Sequence, residues 1–388
     1  MIVNGLDIWL EDIDPKKYPP YAMVVNQTSL ASDWQYSWDA LRRKGCTPSV
    51  IFSPEHGLFS TEQDQVAVDY QPGLDTKLVS LYGNNQGSLV PGKELLKGIE
   101  KIVFDIQDIG TRYYTYANTM GLIMDELHGT GIEMVILDRP NPLGGIIVEG
   151  PMLNESYSSF VGVFNVPARH GLTVGELAYL YRDARELDVA LDVVKCRGWE
   201  RRMGFSSYAA SWVPQSPNMP TFHTALLYPG MCLLEGTNLS EGRGTASPFH
   251  LAGAPYVDPF QLTSHLLQVS EIKDFVYRPV YFKPWANKYS GETTGGVYTQ
   301  VVNESTKQSF LCGLSLIKSC AELYEEFFEF LHGVYEFNNL HPAFDLLCGG
   351  SEIREMILNG YSLQAINEYI DDENQEYKKG KSRLHLYD

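Results

Sequence analysis

The sequence predicts an α/β protein, with a mostly parallel sheet in its N-terminal half and an α+β C-terminal third. Three observations support this fold class. The chain has 388 residues, 44% of them hydrophobic, which is enough to bury a sizeable core. Its first 150 residues alternate short apolar runs with helix-like segments, as βαβ units do. After Gly150 this alternation stops, and the last third mixes strand and helix patterns.

The strands of the predicted parallel sheet are continuous apolar runs, which is typical of strands buried on both faces. "KIVFDI" and "EMVILD" show this pattern most clearly. Between the runs, residues 32–43 and 114–128 have the periodicity of crossover helices, and each is followed by a glycine. The predicted strands are residues 22–25, 49–52, 101–106 and 134–137, with a weaker one at 78–82.

The second half of the chain predicts a different organisation. Residues 173–186 form a predicted helix, with Thr173 and Glu176 at the spacing of a capping box. Residues 211–255 are rich in Pro, Gly, Asn and Ser and predict a functional loop system. Two strands and a long helix are predicted beyond it, at 276–282, 296–302 and 314–335. We therefore divide the chain into residues 1–250, which contain the predicted parallel sheet, and residues 251–388, which are α+β in character.

Charge and composition exclude several classes of partner. The formal net charge of −18 disfavours nucleic acid and anionic membranes, and no strongly basic patch interrupts it. No segment has the roughly 20 apolar residues of a membrane span, and the sequence as given shows no export signal. We expect a cytoplasmic protein, or a periplasmic or secreted one if a signal was removed. The six cysteines form no C-x-x-C pair, so we predict reduced buried thiols and no metal.

Charged side chains collect where three predicted strands end. Ligands of open α/β sheets bind outside the carboxyl ends of the strands, so these loops are the first candidates for a site. Each residue also has a structural explanation, as a solvated turn, a helix cap or a structural ion pair. Their coincidence on three consecutive loops favours a site. The candidates are Glu55, His56, Asp108, Arg112, Tyr113, Arg139 and Asn141, with Glu149 where the chain returns.

A second group of candidates lies in downstream segments framed by Gly and Pro. Glycines allow a ligand to approach the backbone closely, and Arg binds carboxylates through two parallel hydrogen bonds. Taken alone, the segment "EGRG" is typical of an exposed turn. The candidates of this group are Arg169, His170, Asn218, Glu235, Asn238, Glu241 and Arg243.

The motifs that the chain lacks narrow its function. It has no G-x-G-x-x-G after the first strand, no G-x-x-x-x-G-K-[ST], no H-E-x-x-H and no G-x-S-x-G. Dinucleotide, nucleoside triphosphate, zinc-protease and serine-hydrolase functions therefore lose their main support, and no cofactor is expected. Carboxylates surrounded by Arg, His and Asn remain, and a carboxylate pair is the minimal apparatus of glycoside hydrolysis.

An ordered series of motifs from Gly5 to about Tyr298 resembles the NamZ-type exo-β-N-acetylmuramidases. The resemblance implies hydrolysis of a terminal, non-reducing N-acetylmuramic acid from peptidoglycan fragments, at a cleft between a Rossmann-like catalytic domain and a smaller auxiliary domain. The partner is then a small saccharide or muropeptide, and nothing in the sequence specifies an oligomeric state. The motifs include "VVNQTS", "FSPEHG", "VFDIQDIGTRYYTY", "VILDRPNPLGG", "ARHGLTVGELA", "VPQSPNMP" and "LLEGTNLSEGRGT".

Within this resemblance Glu55 is the first choice for a catalytic carboxylate, with His56 tuning its ionisation or holding substrate. Glu149, Glu235 and Glu241 lie in matching motifs, and the partner carboxylate stays open among them. A muramyl sugar carries a lactyl carboxylate, so the site needs a cation, for which Arg112, Arg139, Arg169 and Arg243 are candidates. Tyr113 or Tyr114 is a candidate to stack on the sugar.

Two other functions fit the same residues. One is a catalytically silent protein that binds muropeptides or another acidic sugar. The other is a hydrolase of this architecture that acts on a different carboxylated substrate. Retaining and inverting outcomes are both open, because they depend on the separation of the two carboxyl groups, about 5 Å or roughly 6.5–9.5 Å.

Overall fold

A parallel six-stranded sheet forms the N-terminal half of the chain. The computed structural model describes residues 2–14, 16, 18–62, 74–83, 86–208, 211–269 and 272–388. The strand order is β3-β2-β1-β4-β5-β6, which is the order of a Rossmann fold. The predicted fold class is therefore confirmed. The strands are β1 (Tyr21–Val25), β2 (Val50–Ser53), β3 (Lys77–Ser80), β4 (Lys101–Asp105), β5 (Glu133–Leu137) and β6 (Leu191–Val194).

Helices cover both faces of this sheet, because successive side chains of a strand point to opposite faces. Ala22 and Val24 of β1 pack in one hydrophobic cluster with α3 and α4, which are Thr115–Leu127 and Val174–Ala184. Met23 and Val25 pack in a second cluster on the other face. That cluster contains α1 (Gly5–Asp12) and α2 (Ser37–Arg43).

The C-terminal part adds a small antiparallel sheet and further helices. Its three strands pair in the order β7-β9-β8. Its apolar side chains join the cluster of α3 and α4, so one core runs from the parallel sheet into this part. The elements are α5 (Phe222–Met231), β7 (Leu251–Ala254), α6 (Pro259–Val269), β8 (Phe275–Phe282), β9 (Thr294–Val301), α7 (Ser309–Leu323), α8 (Ala343–Cys348), α9 (Glu352–Leu358) and α10 (Leu363–Gly380).

Most predicted elements are confirmed within one or two residues, and three predictions differ from the structure. The helix predicted over 32–43 begins only at Ser37, after a turn. The helix predicted over 314–335 is wrong in extent, because α7 ends at Leu323 and turns and loop follow. The apolar stripe continues past that end because Phe328 and Phe330 pack in the core from the loop. The loop system predicted over 211–255 contains helix α5 and strand β7, and strand β6 was not predicted.

The end of the chain returns to the parallel sheet. The Tyr387 hydroxyl donates to Asp138 at 2.6 Å, just beyond β5. The Asn374 amide of α10 donates to the Gly150 carbonyl oxygen at 2.8 Å. These bonds cross the predicted boundary near residue 250, which stays a prediction. Within the described part of the chain, no helix has both the length and the apolar character needed to cross a membrane.

Candidate active site

A cavity of about 560 Å³ opens at the carboxyl edge of the parallel sheet. It is surrounded by the loop after β2, the start of α3, the segment of residues 211–255 and two C-terminal loops. This position is where open α/β sheets bind their ligands. Its lining residues are Glu55, His56, Tyr113, Tyr114, Thr115, Tyr116, Val161, Ser216, Asn218, Tyr228, Glu235, Glu241, Arg243, Phe249, Asn287, Lys288, Tyr335 and Glu336.

A tight turn after β2 points Glu55 into the cavity. The Gly57 N–H donates to the Pro54 carbonyl oxygen at 3.1 Å and closes the turn. His56 adopts a left-handed backbone conformation with φ of 70°, which costs a non-glycine residue roughly 1–3 kcal/mol. Such strain collects at functional sites, where the surrounding structure maintains it. The His56 Nδ1 lies 2.9 Å from the Glu62 carbonyl oxygen, so Nδ1 carries the proton.

Glu55 has the environment of a proton donor. Burial raises the pKa of Glu55, and the negative charge of Glu235 adds to the rise. The Thr115 hydroxyl, which donates to Glu55 Oε2 at 2.6 Å, and the charge of Arg243 oppose that rise without cancelling it. Thr115 is the first residue of α3, so the start of α3 and the turn after β2 meet at this hydrogen bond. A carboxyl group with a raised pKa stays protonated at a higher pH than usual.

Glu235 has the opposite environment. Burial alone would raise the pKa of Glu235, but the charge and hydrogen bond of Arg243 and the hydrogen bond of Tyr335 outweigh burial and lower it. Arg243 Nη2 donates to Glu235 Oε1 at 2.7 Å, and the Tyr335 hydroxyl donates to Oε2 at 2.8 Å. Glu235 is therefore ionised where Glu55 is still protonated. Two carboxyl groups whose environments separate their pKa values are suited to separate acid and base roles.

A charge network fixes the loop that carries Arg243. Arg243 Nε lies 3.5 Å from Glu241, and Lys288 Nζ lies 3.1 Å from the same carboxylate. Gly242 and Gly244 flank the arginine with φ of 79° and 74°. A Cβ on Gly244 would lie 2.5 Å from the Ala286 carbonyl oxygen, so this position requires glycine.

A C-terminal turn closes another side of the cavity. Its central residues, Glu336 and Phe337, both have positive φ, 45° and 64°. The Tyr82 hydroxyl donates to Glu336 Oε2 at 2.7 Å, and it is also a hydrogen-bond partner of Glu55. Because Tyr335 of this turn binds Glu235, one turn contacts the surroundings of both carboxyl groups.

The structure brings together part of the predicted site. Glu55, His56, Tyr113, Asn218, Glu235, Glu241 and Arg243 line the cavity. Arg243 is the one of the four candidate arginines that does so. The remaining predicted residues lie outside it, and each has a structural role.

Glu149 and Arg169 form a buried ion pair away from the cavity. Glu149 Oε2 also accepts from the Phe310 N–H at 3.0 Å. Arg139 pairs with Asp105 at 2.7 Å. Arg112 donates to three backbone carbonyl groups, among them Leu347 at 2.8 Å. None of these groups faces a substrate in the cavity, so we leave them out of the site.

Four further predicted residues hold loops in place. Asn141 and Asn238 donate to the carbonyl oxygens of Leu172 and Phe327. Asp108 accepts from the Gly110 N–H at 2.6 Å, and burial raises its pKa to about 7. His170 Nδ1 accepts from the Leu172 N–H, and burial lowers the pKa of the imidazole to about 3.

Several lining residues were not predicted. Thr115 had one local signal, as a hydroxyl at the start of a helix that follows a rim loop. Tyr228, Lys288, Tyr335 and Glu336 reach the cavity through tertiary folding from segments that follow no strand of the parallel sheet. Among the described residues, no group of three or more His, Cys, Asp or Glu could hold a metal ion.

The fold and the site together define a class of protein. A carboxyl group with a raised pKa and another with a lowered pKa, in one cavity at the edge of a Rossmann-like sheet, fit the acid and the base or nucleophile of a glycoside hydrolase. The N-terminal family model described as "Exo-beta-N-acetylmuramidase NamZ" matches residues 21–223, and its C-terminal counterpart matches residues 226–387. The chain belongs to the NamZ family of exo-β-N-acetylmuramidases.

Individual relatives agree with this assignment. The chain is 35% identical over 390 residues to the peptidoglycan beta-N-acetylmuramidase NamZ of Bacillus subtilis (strain 168), covering 100% of this chain and 91% of that protein. Two crystal structures of DUF1343 family proteins from Bacteroides fragilis NCTC 9343 match 100% of this chain and 99% of their own. Their TM-scores are 0.88 and 0.76, at 28% and 27% identity.

Proposed function

We propose that the protein is an exo-acting glycoside hydrolase that releases terminal, non-reducing β-linked N-acetylmuramic acid from peptidoglycan fragments. Family membership and the Bacillus subtilis relative support the substrate class. The observation that carries the chemistry is that Glu55 and Glu235 line one cavity in surroundings that shift their pKa values in opposite directions. Glu55 is the proposed acid, and Glu235 is the proposed base or nucleophile.

In the proposed reaction, Glu55 donates its proton to the glycosidic oxygen as the bond from that oxygen to C1 breaks. The bonding electron pair leaves with the oxygen, and positive charge develops at the sugar ring. The Glu235 carboxylate then either takes a proton from the water that attacks C1 or attacks C1 itself. In the second case a glycosyl ester forms, and a water that gives its proton to Glu55 attacks C1, breaks the ester bond, releases the sugar and restores both carboxyl groups. Thr115 orients the acid, whereas Arg243 and Tyr335 orient the carboxylate.

We propose Arg243 as the group that binds the lactyl carboxylate of the muramyl sugar. It lines the cavity, and its charge already organises Glu235 and Glu241 around it. Asn218 is the proposed hydrogen-bond partner of the sugar substituents. Tyr113, which the sequence offered for stacking, uses its hydroxyl to donate to the Pro229 carbonyl oxygen, so its ring is fixed in the wall.

The test compares leaving groups in the wild type and in Glu55→Gln. A β-linked muramyl-N-acetylglucosamine needs a proton on its leaving oxygen, whereas β-muramyl fluoride needs little protonation. Removal of a general acid costs about 10²–10⁴-fold in rate. We therefore expect Glu55→Gln to lose at least about 100-fold in kcat on the disaccharide and far less on the fluoride. The control is Glu94→Gln, which changes an exposed carboxyl group and should keep the wild-type kcat on both substrates.

Two results would contradict the proposal. Equal loss on both substrates would make Glu55 a nucleophile or a binding group instead of the acid. Saturable binding of the disaccharide by the wild type without any product would favour a non-catalytic binding protein of the same fold.

A further inference from the structure

The loop between β8 and β9 lines the cavity with two of its residues and also carries an exposed tryptophan. Trp285 is 74% exposed, although a ring of this size is usually at least partly buried. Two residues later, Asn287 and Lys288 of the same loop line the cavity. The backbone N–H of Trp285 donates to the carbonyl oxygen of Gly244 at 2.9 Å, and Gly244 directly follows the lining residue Arg243. The Trp285 backbone is thus held between two lining segments.

This loop is fastened to the protein on its inner side. Lys288 Nζ donates to the carbonyl oxygens of Leu234 and Leu239, both at 2.9 Å. The Tyr289 hydroxyl donates to the Asn238 carbonyl oxygen at 2.6 Å. Across the loop, the Gly291 N–H donates to the Pro284 carbonyl oxygen at 2.7 Å. The exposure of Trp285 therefore belongs to an ordered loop that the side chains of Lys288 and Tyr289 fasten to the protein.

An exo-acting enzyme takes the terminal sugar into its cavity and leaves the rest of the glycan at the mouth. This inference thus rests on the proposed function. The sugar after the scissile bond must lie at the rim, where its ring presents apolar C–H groups. A rigid aromatic face is a suitable partner for such a surface, because it gives contact area at little entropic cost. We propose that Trp285 is the stacking platform of an aglycone subsite, which binds the N-acetylhexosamine on the leaving side of the bond.

The platform makes a prediction about substrate length. Trp285→Ala should lower kcat/KM for a muramyl-N-acetylglucosamine chain about tenfold, mainly by raising KM, since stacking is worth on the order of a factor of ten. For β-muramyl fluoride, whose aglycone has no ring, the loss should be much smaller. The ratio of the two kcat/KM values is the measured quantity. Trp285→Phe, which keeps an aromatic face, should restore most of that ratio.

Tyr361→Ala serves as the control. Tyr361 is also an exposed aromatic residue, 49% exposed, on the turn between α9 and α10. Tyr361→Ala should leave the ratio of the two kcat/KM values unchanged. Thermal unfolding of each variant should match that of the wild type. An unchanged ratio in Trp285→Ala would overturn the subsite. If the wild type hydrolyses neither substrate, the proposed function fails instead, so the two failures are distinguishable.

Discussion

At the scale of single residues, the site depends on two glutamates that differ only in their surroundings. Among the described residues, Glu55 has only neutral hydroxyl groups as side-chain hydrogen-bond partners, those of Thr115 and Tyr82, and burial outweighs them and raises its pKa. Glu235 accepts hydrogen bonds from the Arg243 guanidinium and the Tyr335 hydroxyl. These groups stabilise the carboxylate enough to lower its pKa despite burial. Activity that needs Glu55 protonated and Glu235 ionised follows a bell-shaped pH profile.

Tyr335→Phe tests which glutamate sets which limb of that profile. The Tyr335 hydroxyl stabilises ionised Glu235, so its removal raises the pKa of Glu235. The acidic limb of kcat/KM, where Glu235 gains a proton as the pH falls, should then move to higher pH. The alkaline limb, where Glu55 loses its proton as the pH rises, should stay in place. The measurement is kcat/KM on a β-muramyl substrate across pH.

A matched control exists outside the cavity. The Tyr369 hydroxyl donates to Glu373 at 2.5 Å on the exposed side of α10. Tyr369→Phe removes the same kind of hydrogen bond and should move neither limb. If Tyr335→Phe moves the alkaline limb and leaves the acidic one, the roles of Glu55 and Glu235 are exchanged.

At the scale of secondary structure, the sequence identified the strands that are buried on both faces of the sheet. Strands β1, β2, β4 and β5 are buried on both faces and are continuous apolar runs. The edge strand β6 is mostly half-buried and mixes Asp with apolar residues, so it has no such pattern. Strand β7 has the sequence LAGA, in which small residues give little strand preference.

The same distinction explains what could be predicted of the site. Glu55 and His56 follow directly from a recognisable strand, so a local pattern identified them. Glu235 could not be distinguished from Glu149, because both lie beside glycines in polar segments. What separates them is tertiary structure, since Glu149 faces Arg169 and Glu235 faces the cavity. Tyr335 reaches the site from a segment that was predicted to be helix.

Two helices behind the cavity make a contact that only glycine permits. A Cβ on Gly313 of α7 would lie 2.0 Å from the Gly230 carbonyl oxygen of α5. Alanine favours a helix over glycine by about 1 kcal/mol, but a collision with backbone outweighs this preference. We expect Gly313→Ala to lower the free energy of unfolding by roughly 1–3 kcal/mol or more, measured by urea denaturation.

Gly380→Ala is the matched control. Gly380 is the last residue of α10, and a Cβ there meets nothing within 4 Å. This variant should be neutral or slightly more stable than the wild type. Equal stability of Gly313→Ala and the wild type would show that α5 and α7 separate at little cost.

At the scale of the whole molecule, the C-terminal part is bound to the parallel sheet through polar contacts buried far from the cavity. Arg112 donates to the carbonyl oxygen of Leu347 in the last turn of α8. The Tyr377 hydroxyl donates to the His170 carbonyl oxygen at 2.8 Å. Lys381 donates to the carbonyl oxygens of Gly145 and Ile146, both at 3.1 Å. Many of the polar residues first considered for catalysis thus join the two parts of the chain.

Glu149→Gln tests this division between joining and catalysis. Glu149 binds Arg169 and the N–H of Phe310 in α7, so the loss of its charge leaves the buried Arg169 guanidinium without an opposite charge in this pair. Breaking a buried ion pair costs about 3–5 kcal/mol, and unfolding followed by both tryptophan fluorescence and circular dichroism should show that loss in one transition. Because Glu149 does not line the cavity, kcat/KM per folded molecule should change little.

The control is Glu200→Gln, which removes the partner of Arg202 in an exposed ion pair. Surface pairs contribute about 0–1 kcal/mol, so this variant should unfold like the wild type. The opposite pattern for Glu149→Gln, native stability with a loss of kcat by orders of magnitude, would make Glu149 the partner of Glu55. Glu235 would then be a structural carboxylate, held by Arg243 and Tyr335 for the sake of the loop. Stability and turnover measured on the same preparation therefore decide between the two glutamates that the sequence could not separate.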